Sequence, residues 1–342
     1  MLAAQFHAHG NLDQLKIEDI PQPRPGPSEV LIKVAACGVN RVDILSRLGE
    51  TPGKIVLPHI SGTEVAGEVA QIGASVTSVQ AGDRVLVNPT ISCGACEFCR
   101  SGEDNMCLNG LIYGVQTNGG YAEYALAPAG HLIKLGPELP YETAAAIAVT
   151  GSTAWHMLVR RANLRQGETV LIVATGSGIG VIGLQIAKLS GAVVIATAGS
   201  EEKLARAKEL GADFTVNHSD PSWPKLVRKL TDGRGVDVVF EHVGAATWEG
   251  SLQSLTRGGR LVTCGGHSGF EVKINLWHLF VKQHSIIGSF AGSRADLDQV
   301  LKMARRGLIK PVIHARLPLR EASEAQAMMD GRGVFGKLLL VP

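Results

Sequence analysis

The sequence predicts an α/β protein of two domains, an irregular β domain and a doubly wound domain with a parallel sheet. At 342 residues the chain is long for one compact core. Its first part, to about residue 135, carries short β-type runs such as EVLIKVAAC and GDRVLVNP, bounded by Gly, Pro or Asp. From about Tyr141, short apolar strands alternate with helical segments, as in parallel sheets covered on both faces.

Composition and charge exclude several classes of protein. The hydrophobic residues are 45% and the charged residues 19% of the chain, which is typical of globular proteins. A net charge of +2 with interspersed signs gives no footprint for nucleic acid or an anionic membrane. The N-terminus MLAAQFHAHGNLDQL lacks the pattern of a secretory signal, and no stretch of about 18 apolar residues occurs. We therefore expect a cytoplasmic protein.

The second region shows its elements in a regular order. A helical segment, YETAAAIAVTGSTAWHMLVRRA, precedes an apolar strand (TVLIVA), a glycine-rich turn and a helix (VIGLQIAKLSG). Strands and helices then alternate to RLVTCGG. After about Trp277 the pattern is mixed, with a helix at ADLDQVLKMARRG and a last strand at VFGKLLLVP. The pattern alone leaves open whether this final part extends the second domain or returns to the first.

The glycine-rich turn predicts a dinucleotide site. Gly176, Gly178, Gly180 and Gly183 lie between a buried strand and a helix, and the last three fit G-x-G-x-x-G. Without Cβ atoms the backbone can turn tightly and approach a pyrophosphate at the positive helix N-terminus.

The end of the next strand favours NADPH over NADH. NAD sites usually have Asp or Glu there to bind the ribose 2′-hydroxyl, whereas this chain has Ala198-Gly199-Ser200. Ser200 can donate to a 2′-phosphate and Lys203 can supply charge. NADH stays possible if Glu201 or the following glutamate turns back to the ribose.

Four of the six cysteines form a cluster, C-x2-C-x2-C-x7-C, at Cys93, Cys96, Cys99 and Cys107. Four thiolates can close a tetrahedral zinc site and leave no open position for substrate. An iron–sulfur cluster is the alternative, although the bacterial ferredoxin spacing has three residues before the last cysteine. The spacing therefore predicts one structural zinc per chain.

Together these motifs resemble the medium-chain dehydrogenase/reductases, the superfamily of zinc alcohol dehydrogenases and quinone oxidoreductases. The resemblance runs from end to end, through PGPSEVLIKVAACGVNRVDIL, LPHISGTEVAGEV, GGYAEYALAP, AAAIAVTGSTAW and the closing GKLLLVP. It implies a GroES-like catalytic domain at residues 1–143 and 278–342, with a zinc lobe at about 88–110 that holds the structural zinc. A Rossmann dinucleotide-binding domain is implied at residues 144–277.

The chain departs from the alcohol dehydrogenases where they hold a second, catalytic zinc. The three ligand positions of that family correspond here to Asn40 in GVNRVD, Thr63 in GTE and Val149 in VTGSTAW. Cys37 and His59 lie close in sequence but off the ligand positions. Because known open zinc sites use three protein ligands, we expect no catalytic metal.

The resemblance also implies roles for individual residues. Asn40 and Thr63 are the expected catalytic residues, which would orient the substrate oxygen. The expected cofactor-binding residues are Arg41, Thr153, Gly176, Ser177, Gly178, Ile179, Gly180, Ser200, Lys203, Val243, Gly244, Cys264, Gly265 and Arg332.

The activity expected from this combination is NADPH-dependent reduction of a quinone, an enone or a related carbonyl compound. Two alternatives stay open: an alcohol dehydrogenase acting on alcohols or aldehydes with NAD(P), and an NADPH-binding structural or RNA-contacting protein. From the resemblance we expect a small-molecule substrate and a homodimer or homotetramer. We expect no nucleic-acid or membrane partner.

Overall fold

The computed structural model describes residues 1–51 and 53–342 and divides them into two compact units. The first unit contains residues 1–149, 293–306 and 311–342, and the second contains residues 150–292 and 307–310. This division differs from the predicted boundaries. Residues 278–292 belong to the second unit because a strand at Ser285–Gly288 extends its parallel sheet.

The described residues form strands and helices in the following order. The strands are β1 (Leu2–Phe6), β2 (Lys16–Asp19), β3 (Glu29–Gly38), β4 (His59–Ile60), β5 (Glu64–Ile72), β6 (Arg84–Val87), β7 (Thr90–Ile91), β8 (Leu111–Ile112), β9 (Tyr124–Pro128), β10 (Leu132–Lys134), β11 (Thr169–Ile172), β12 (Val193–Ala198), β13 (Phe214–Asn217), β14 (Val236–Glu241), β15 (Leu255–Thr263), β16 (Ser285–Gly288), β17 (Ile313–Pro318) and β18 (Lys337–Val341). The helices are α1 (Arg41–Leu48), α2 (Glu97–Arg100), α3 (Tyr141–Trp155), α4 (Gly178–Leu189), α5 (Glu201–Glu209), α6 (Trp223–Lys229), α7 (Ala245–Ser254), α8 (Leu276–Val281), α9 (Arg294–Arg305) and α10 (Ala322–Asp330).

The first unit is built on a seven-stranded sheet in the order β10-β6-β5-β3-β18-β17, with β9 paired to β3. Residues that alternate along β3 are buried in its core, among them Val30 and Ile32. The C-terminal strand β18 runs antiparallel to β3, with Leu339 opposite Gly38. This register carries Lys337, the first residue of β18, to the point where β3 ends and α1 begins.

The second unit has a six-stranded, entirely parallel sheet in the order β13-β12-β11-β14-β15-β16. Its strands are almost continuously buried, as β11 and β14 show, because helices pack against the sheet. The predicted fold class, a GroES-like β domain and a Rossmann-type parallel-sheet domain, is confirmed.

Parallel strands bring their carboxyl ends to one edge of the sheet, and ligands of such folds bind there. The segments after β11, β12, β14 and β15 therefore share an edge. They carry the glycine turn, Ser200, Val243-Gly244 and Cys264-Gly265. Four stretches that are far apart in the sequence thus meet where a dinucleotide would bind.

Within the described residues, the helices are all too short or too polar to cross a lipid bilayer.

Candidate active site and zinc lobe

The four lobe cysteines converge on one point. Their sulfur atoms lie within 4.8 Å of one another, with 3.5 Å between the Sγ atoms of Cys96 and Cys99 and 4.0 Å between those of Cys93 and Cys99. Tetrahedral zinc with Zn–S bonds of about 2.3 Å requires sulfur atoms about 3.8 Å apart. The donor set and its spacing therefore fit a structural zinc closed by four thiolates.

Backbone N–H groups favour the thiolate form at part of the cluster. Those of Ala95 and Cys96 donate towards Cys93 and lower the pKa of its thiol to about 6. Burial raises the pKa of Cys99 to about 11. Because zinc binds thiolates, loading the cluster must release protons from its least acidic members.

The lobe also supports a neighbouring helix. Asp104, between the third and fourth lobe cysteines, accepts the backbone N–H of Arg294 with both carboxylate oxygens, at 3.0 and 3.2 Å. Arg294 is the first residue of α9. A carboxylate at that position satisfies a free N–H group and complements the helix dipole.

The glycine turn leads directly into α4. Ser177 caps this helix, and its Oγ accepts the N–H of Gly180 at 3.0 Å. Gly178 and Ile179 lie in the first turn, where N–H groups have no helical acceptor. A Cβ on Gly180 would lie 2.7 Å from the carbonyl oxygen of Ala174, so glycine is required for this close approach. The turn thus offers the N–H groups that bind a pyrophosphate in such folds.

A buried histidine, which the sequence analysis left without a role, supports this turn. His242 Nε2 donates to the carbonyl of Val173 at 3.0 Å and lies 3.2 Å from Ser177 Oγ. Burial lowers the pKa of His242 to about 4, so the ring is neutral near pH 7.

Ser200 and Lys203 begin the helix after β12. Ser200 caps α5, and its Oγ accepts the N–H of Lys203 at 3.4 Å. Partial burial lowers the pKa of the Lys203 ammonium. The carboxylate of Glu201 accepts a hydrogen bond from Asn217 Nδ2 at 3.1 Å. In this arrangement Glu201 has a partner of its own on the neighbouring strand.

A buried carboxylate that the sequence analysis missed fixes the segment after β14. Glu241 is fully buried and accepts the N–H groups of Val243 and Gly244 at 2.6 and 3.2 Å. The hydroxyls of Thr247 and Ser251 donate to its other oxygen at 2.8 and 2.7 Å. The position of Glu241 at the end of an apolar strand, three residues before Gly244, was the available signal.

Cys264 and Gly265 directly follow the adjacent strand, β15. Burial raises the pKa of Cys264 to about 12, which keeps it a thiol. Gly265 is exposed. Thr153, the other cofactor candidate of this unit, is buried within α3.

In the first unit, Asn40 and Thr63 are in direct contact. Asn40 Nδ2 donates to Thr63 Oγ1 at 3.0 Å. Thr63 is fully buried, whereas Asn40 is 9% exposed. Of this predicted pair, Asn40 is the more accessible, and Thr63 holds its carboxamide.

A lysine, which the sequence analysis also missed, joins these residues. Lys337 Nζ donates to Asn40 Oδ1 and to the carbonyl of Val39, both at 2.8 Å, and forms an ion pair with Glu64 at 2.6 Å. The other oxygen of Glu64 accepts the N–H of Val149 at 2.7 Å. All three positions that resemble zinc-ligand positions are therefore connected through a buried lysine–glutamate pair.

Asp43 braces the loop that carries Asn40. Its carboxylate accepts the N–H of Asn40 at 2.8 Å, the hydroxyl of Tyr121 at 2.9 Å and the N–H of Gly62 at 3.3 Å. Burial raises the pKa of Asp43 to about 7, against the effect of these donors. The brace fixes the start of α1 relative to the turn before β5 that carries Thr63.

Neither Cys37 nor His59 is placed as a metal ligand. Cys37 is fully buried in the first core, and burial raises its pKa well above the usual range. His59 is also buried, and its Nε2 donates to the carbonyl of Gly114 at 3.1 Å. Across the ranges 1–51 and 53–342, the only group able to hold a metal through three or more His, Cys, Asp or Glu residues is the lobe cluster. The residues present do not fit a catalytic zinc.

Two arginines predicted to approach the cofactor lie near the end of α10. Arg41 forms an ion pair with Asp330, the last residue of that helix. Arg332 is exposed in the turn that follows, with φ of 56°.

Comparison with known proteins identifies the family. A family model described as "Alcohol dehydrogenase GroES-like domain" matches residues 26–137, and one described as "Zinc-binding dehydrogenase" matches residues 178–306. An NAD-dependent alcohol dehydrogenase of Sulfolobus acidocaldarius is 36% identical, with 99% of both chains covered. A human quinone oxidoreductase is 31% identical, with 100% of this chain and 98% of the relative covered.

A solved structure titled as an NAD-dependent alcohol dehydrogenase has a TM-score of 0.96 and 44% identity, and both chains are covered completely. Its likeness therefore extends over both units. The chain belongs to the medium-chain dehydrogenase/reductase superfamily of zinc-type alcohol dehydrogenases and quinone oxidoreductases, and it is an NAD(P)-dependent oxidoreductase.

Proposed function

We propose that this oxidoreductase uses NADPH to reduce a quinone, an enone or a related carbonyl compound without a catalytic metal. One observation carries the proposal. The positions that resemble catalytic-zinc ligands hold Asn40, Thr63 and Val149, and a lysine–glutamate pair connects them in place of metal-binding side chains.

The chemistry of the acceptor explains why this arrangement suits conjugated substrates. Oxidation of a simple alcohol forms an alkoxide, which a Lewis acid such as zinc stabilises. When a bound nicotinamide cofactor supplies hydride to a conjugated acceptor, negative charge develops on a remote oxygen, and hydrogen-bond donors can stabilise it. The second N–H of the Asn40 carboxamide supplies such a donor, and water supplies the proton.

The preference for NADPH is part of the proposal and rests on the segment after β12. Ser200 and Lys203 stand where many NAD sites have a carboxylate. Glu201, the alternative partner for a ribose hydroxyl, is hydrogen-bonded to Asn217 instead. A 2′-phosphate would therefore meet a hydroxyl and an ammonium at this edge of the sheet.

Association through the second unit is also proposed. The edge strand β16 follows a short helix, α8, whose apolar side chains are largely exposed, with Trp277 at 66% and Phe280 at 60%. Exposed apolar patches beside an unpaired strand edge favour association. A homodimer or homotetramer formed at this edge would cover them.

A cytoplasmic location completes the proposal. The lobe needs four reduced cysteines to bind zinc, and a reducing compartment keeps them so.

The test is NADPH oxidation by the purified protein against a panel of quinones and enones, with the Asn40→Ala variant as a matched control. We expect turnover by the wild type and a loss of kcat/KM on the order of 100-fold in the variant, with NADPH affinity unchanged. Tight NADPH binding with background turnover across the panel would overturn the proposal.

Alcohol dehydrogenase activity is the second candidate, because relatives and a structural neighbour with that name cover the whole chain. The same protein should then reduce NAD(P) with simple alcohols at a rate that increases with added zinc. Alcohol turnover with a metal content of about two zinc ions per chain would favour it.

A further inference from the structure

Lys337 makes two hydrogen bonds and one ion pair. It is 4% exposed, and its ammonium meets Val39 O, Asn40 Oδ1 and Glu64 Oε2 at 2.6 to 2.8 Å. A lysine ammonium has three donors and no acceptor. Because Lys337 is buried and its ammonium faces three protein acceptors, we infer that any part it has in the reaction acts through a neighbour.

The neighbour on which it acts is Asn40. A carboxamide can present either its oxygen or its nitrogen in a given direction, and the hydrogen-bond partners decide which. Because an ammonium can only donate, the Asn40 oxygen must face Lys337. The nitrogen must then face Thr63, as its 3.0 Å contact shows. One N–H is used by Thr63, and the second has no protein acceptor among residues 1–51 and 53–342.

Charge strengthens this orientation. The Lys337 ammonium at the carboxamide oxygen polarises the amide. Hydrogen bonds connected in series, as from Lys337 through Asn40 to Thr63, reinforce one another at low local dielectric. The N–H groups of Asn40 therefore become better donors than those of an isolated asparagine. The Glu64 carboxylate neutralises the charge of Lys337. A Cβ on Gly38 would lie 2.0 Å from the Glu64 oxygen that faces Lys337, so glycine at this position leaves room for the carboxylate.

Burying Lys337 costs free energy, and joining β18 to β3 alone does not explain that cost. The next three residues of β18 are leucines, all fully buried. Buried ion pairs often stabilise a fold no better than apolar residues of the same volume. An apolar residue in place of Lys337 could join β18 to β3 equally well, but it could not fix the carboxamide of Asn40.

We propose that Lys337 is a positioning residue that holds the Asn40 carboxamide with its free N–H directed to the substrate oxygen. The proposal rests on the proposed function, in which Asn40 donates to that oxygen. Lys337 thus supplies a fixed positive charge, carried by the chain itself, behind the group that touches the substrate.

The test is a double-mutant cycle between Lys337 and Asn40. Lys337→Met is combined with Glu64→Gln, so that no buried charge is left unpaired while an acceptor remains for Val149 N–H. The cycle compares the wild type, this paired variant, Asn40→Ala and the combination of all three changes. For each protein, kcat and KM for a quinone or enone, the NADPH Kd and the Tm are measured.

We expect the paired variant to lose kcat on the order of 100-fold, with NADPH Kd within about twofold. In the Asn40→Ala background the same change should have almost no further effect on kcat, since there is no carboxamide left to hold. A reduction of kcat by equal factors in both backgrounds would overturn the proposal. So would wild-type kcat with only a lower Tm, the signature of a structural pair. If Asn40→Ala alone keeps wild-type activity, the proposed function itself fails.

A second measurement uses the intact lysine and does not depend on the paired variant folding. Among residues 1–51 and 53–342, Lys337 is the only buried lysine. In ¹⁵N-lysine NMR its NH₃⁺ signal should therefore be protected from exchange with water. That signal should shift in Asn40→Asp, where a carboxylate replaces the amide oxygen. A signal unchanged by Asn40→Asp would overturn the contact on which the proposal rests.

Discussion

Acid should destabilise the second unit through His242, and the size of the effect follows from the structure. The folded ring has a pKa of about 4, against an ordinary 6.5, because it is buried. Between these values the folded state binds fewer protons than the unfolded state, so the free energy of unfolding falls as the pH is lowered. The full loss is about 3 kcal/mol. From pH 7.5 to pH 5 it is about 2 kcal/mol.

The assay is urea unfolding at both pH values, followed by tryptophan fluorescence. Trp223 and Trp248 are buried in the core of the second unit and report on its unfolding. The variant His242→Phe removes the titrating group. It should be less stable than the wild type at pH 7.5, because the Val173 carbonyl loses its donor.

The difference between the two proteins should shrink by about 2 kcal/mol at pH 5, since other titrating groups cancel in the comparison. Between pH 7.5 and pH 9 the two should change in parallel. If His242→Phe loses as much stability on acidification as the wild type, the buried neutral ring is not the cause.

Three further predictions concern the cofactor, the zinc lobe and the proposed contact between subunits at β16 and α8. Ser200→Asp should lower kcat/KM with NADPH by more than about tenfold and spare NADH, and equal losses with both cofactors would contradict the assignment of a 2′-phosphate site. Cys96→Ser should release zinc and lower the Tm by on the order of 5 °C with kcat within about twofold, whereas a large loss of kcat at full stability would give the lobe metal a catalytic role. The double variant Trp277→Arg/Phe280→Glu should form smaller oligomers in light scattering. Phe214→Glu is the control: Phe214 is 40% exposed on the opposite edge strand, β13, and its change should not alter the oligomer. The reverse outcome would place the contact between subunits at β13.

The fold could be predicted because its signals are local. Each strand of the second unit is a short apolar run, and its glycine turn lies between one strand and one helix. The lobe cysteines are similarly close in sequence. Physical patterns of this kind need no knowledge of distant contacts.

The division between the units was not predictable in the same way. Strand β16 is four residues long and only half-buried, so it has no strong pattern. Its membership in the second unit depends on pairing with β15. Pairing between strands is a tertiary property that overrides weak local preference.

The hydrogen-bond network around Asn40 shows the same limit more sharply. Asn40 and Thr63 could be identified by their position in motifs, but Lys337 is 297 residues from Asn40 along the chain. Only the antiparallel register of β18 on β3 brings its ammonium to the carboxamide. Glu241 was missed for a different reason: its four partners are close in sequence, in the turn and helix that follow it, but the sequence pattern does not show that they converge on one carboxylate.

Zinc content and activity, measured together during chelation, distinguish one structural zinc from a catalytic metal. We expect about one zinc ion per chain, and its removal should lower the Tm before it lowers the rate of hydride transfer to a quinone or enone. About two zinc ions per chain, with activity lost in proportion to release of the first of them, would contradict it.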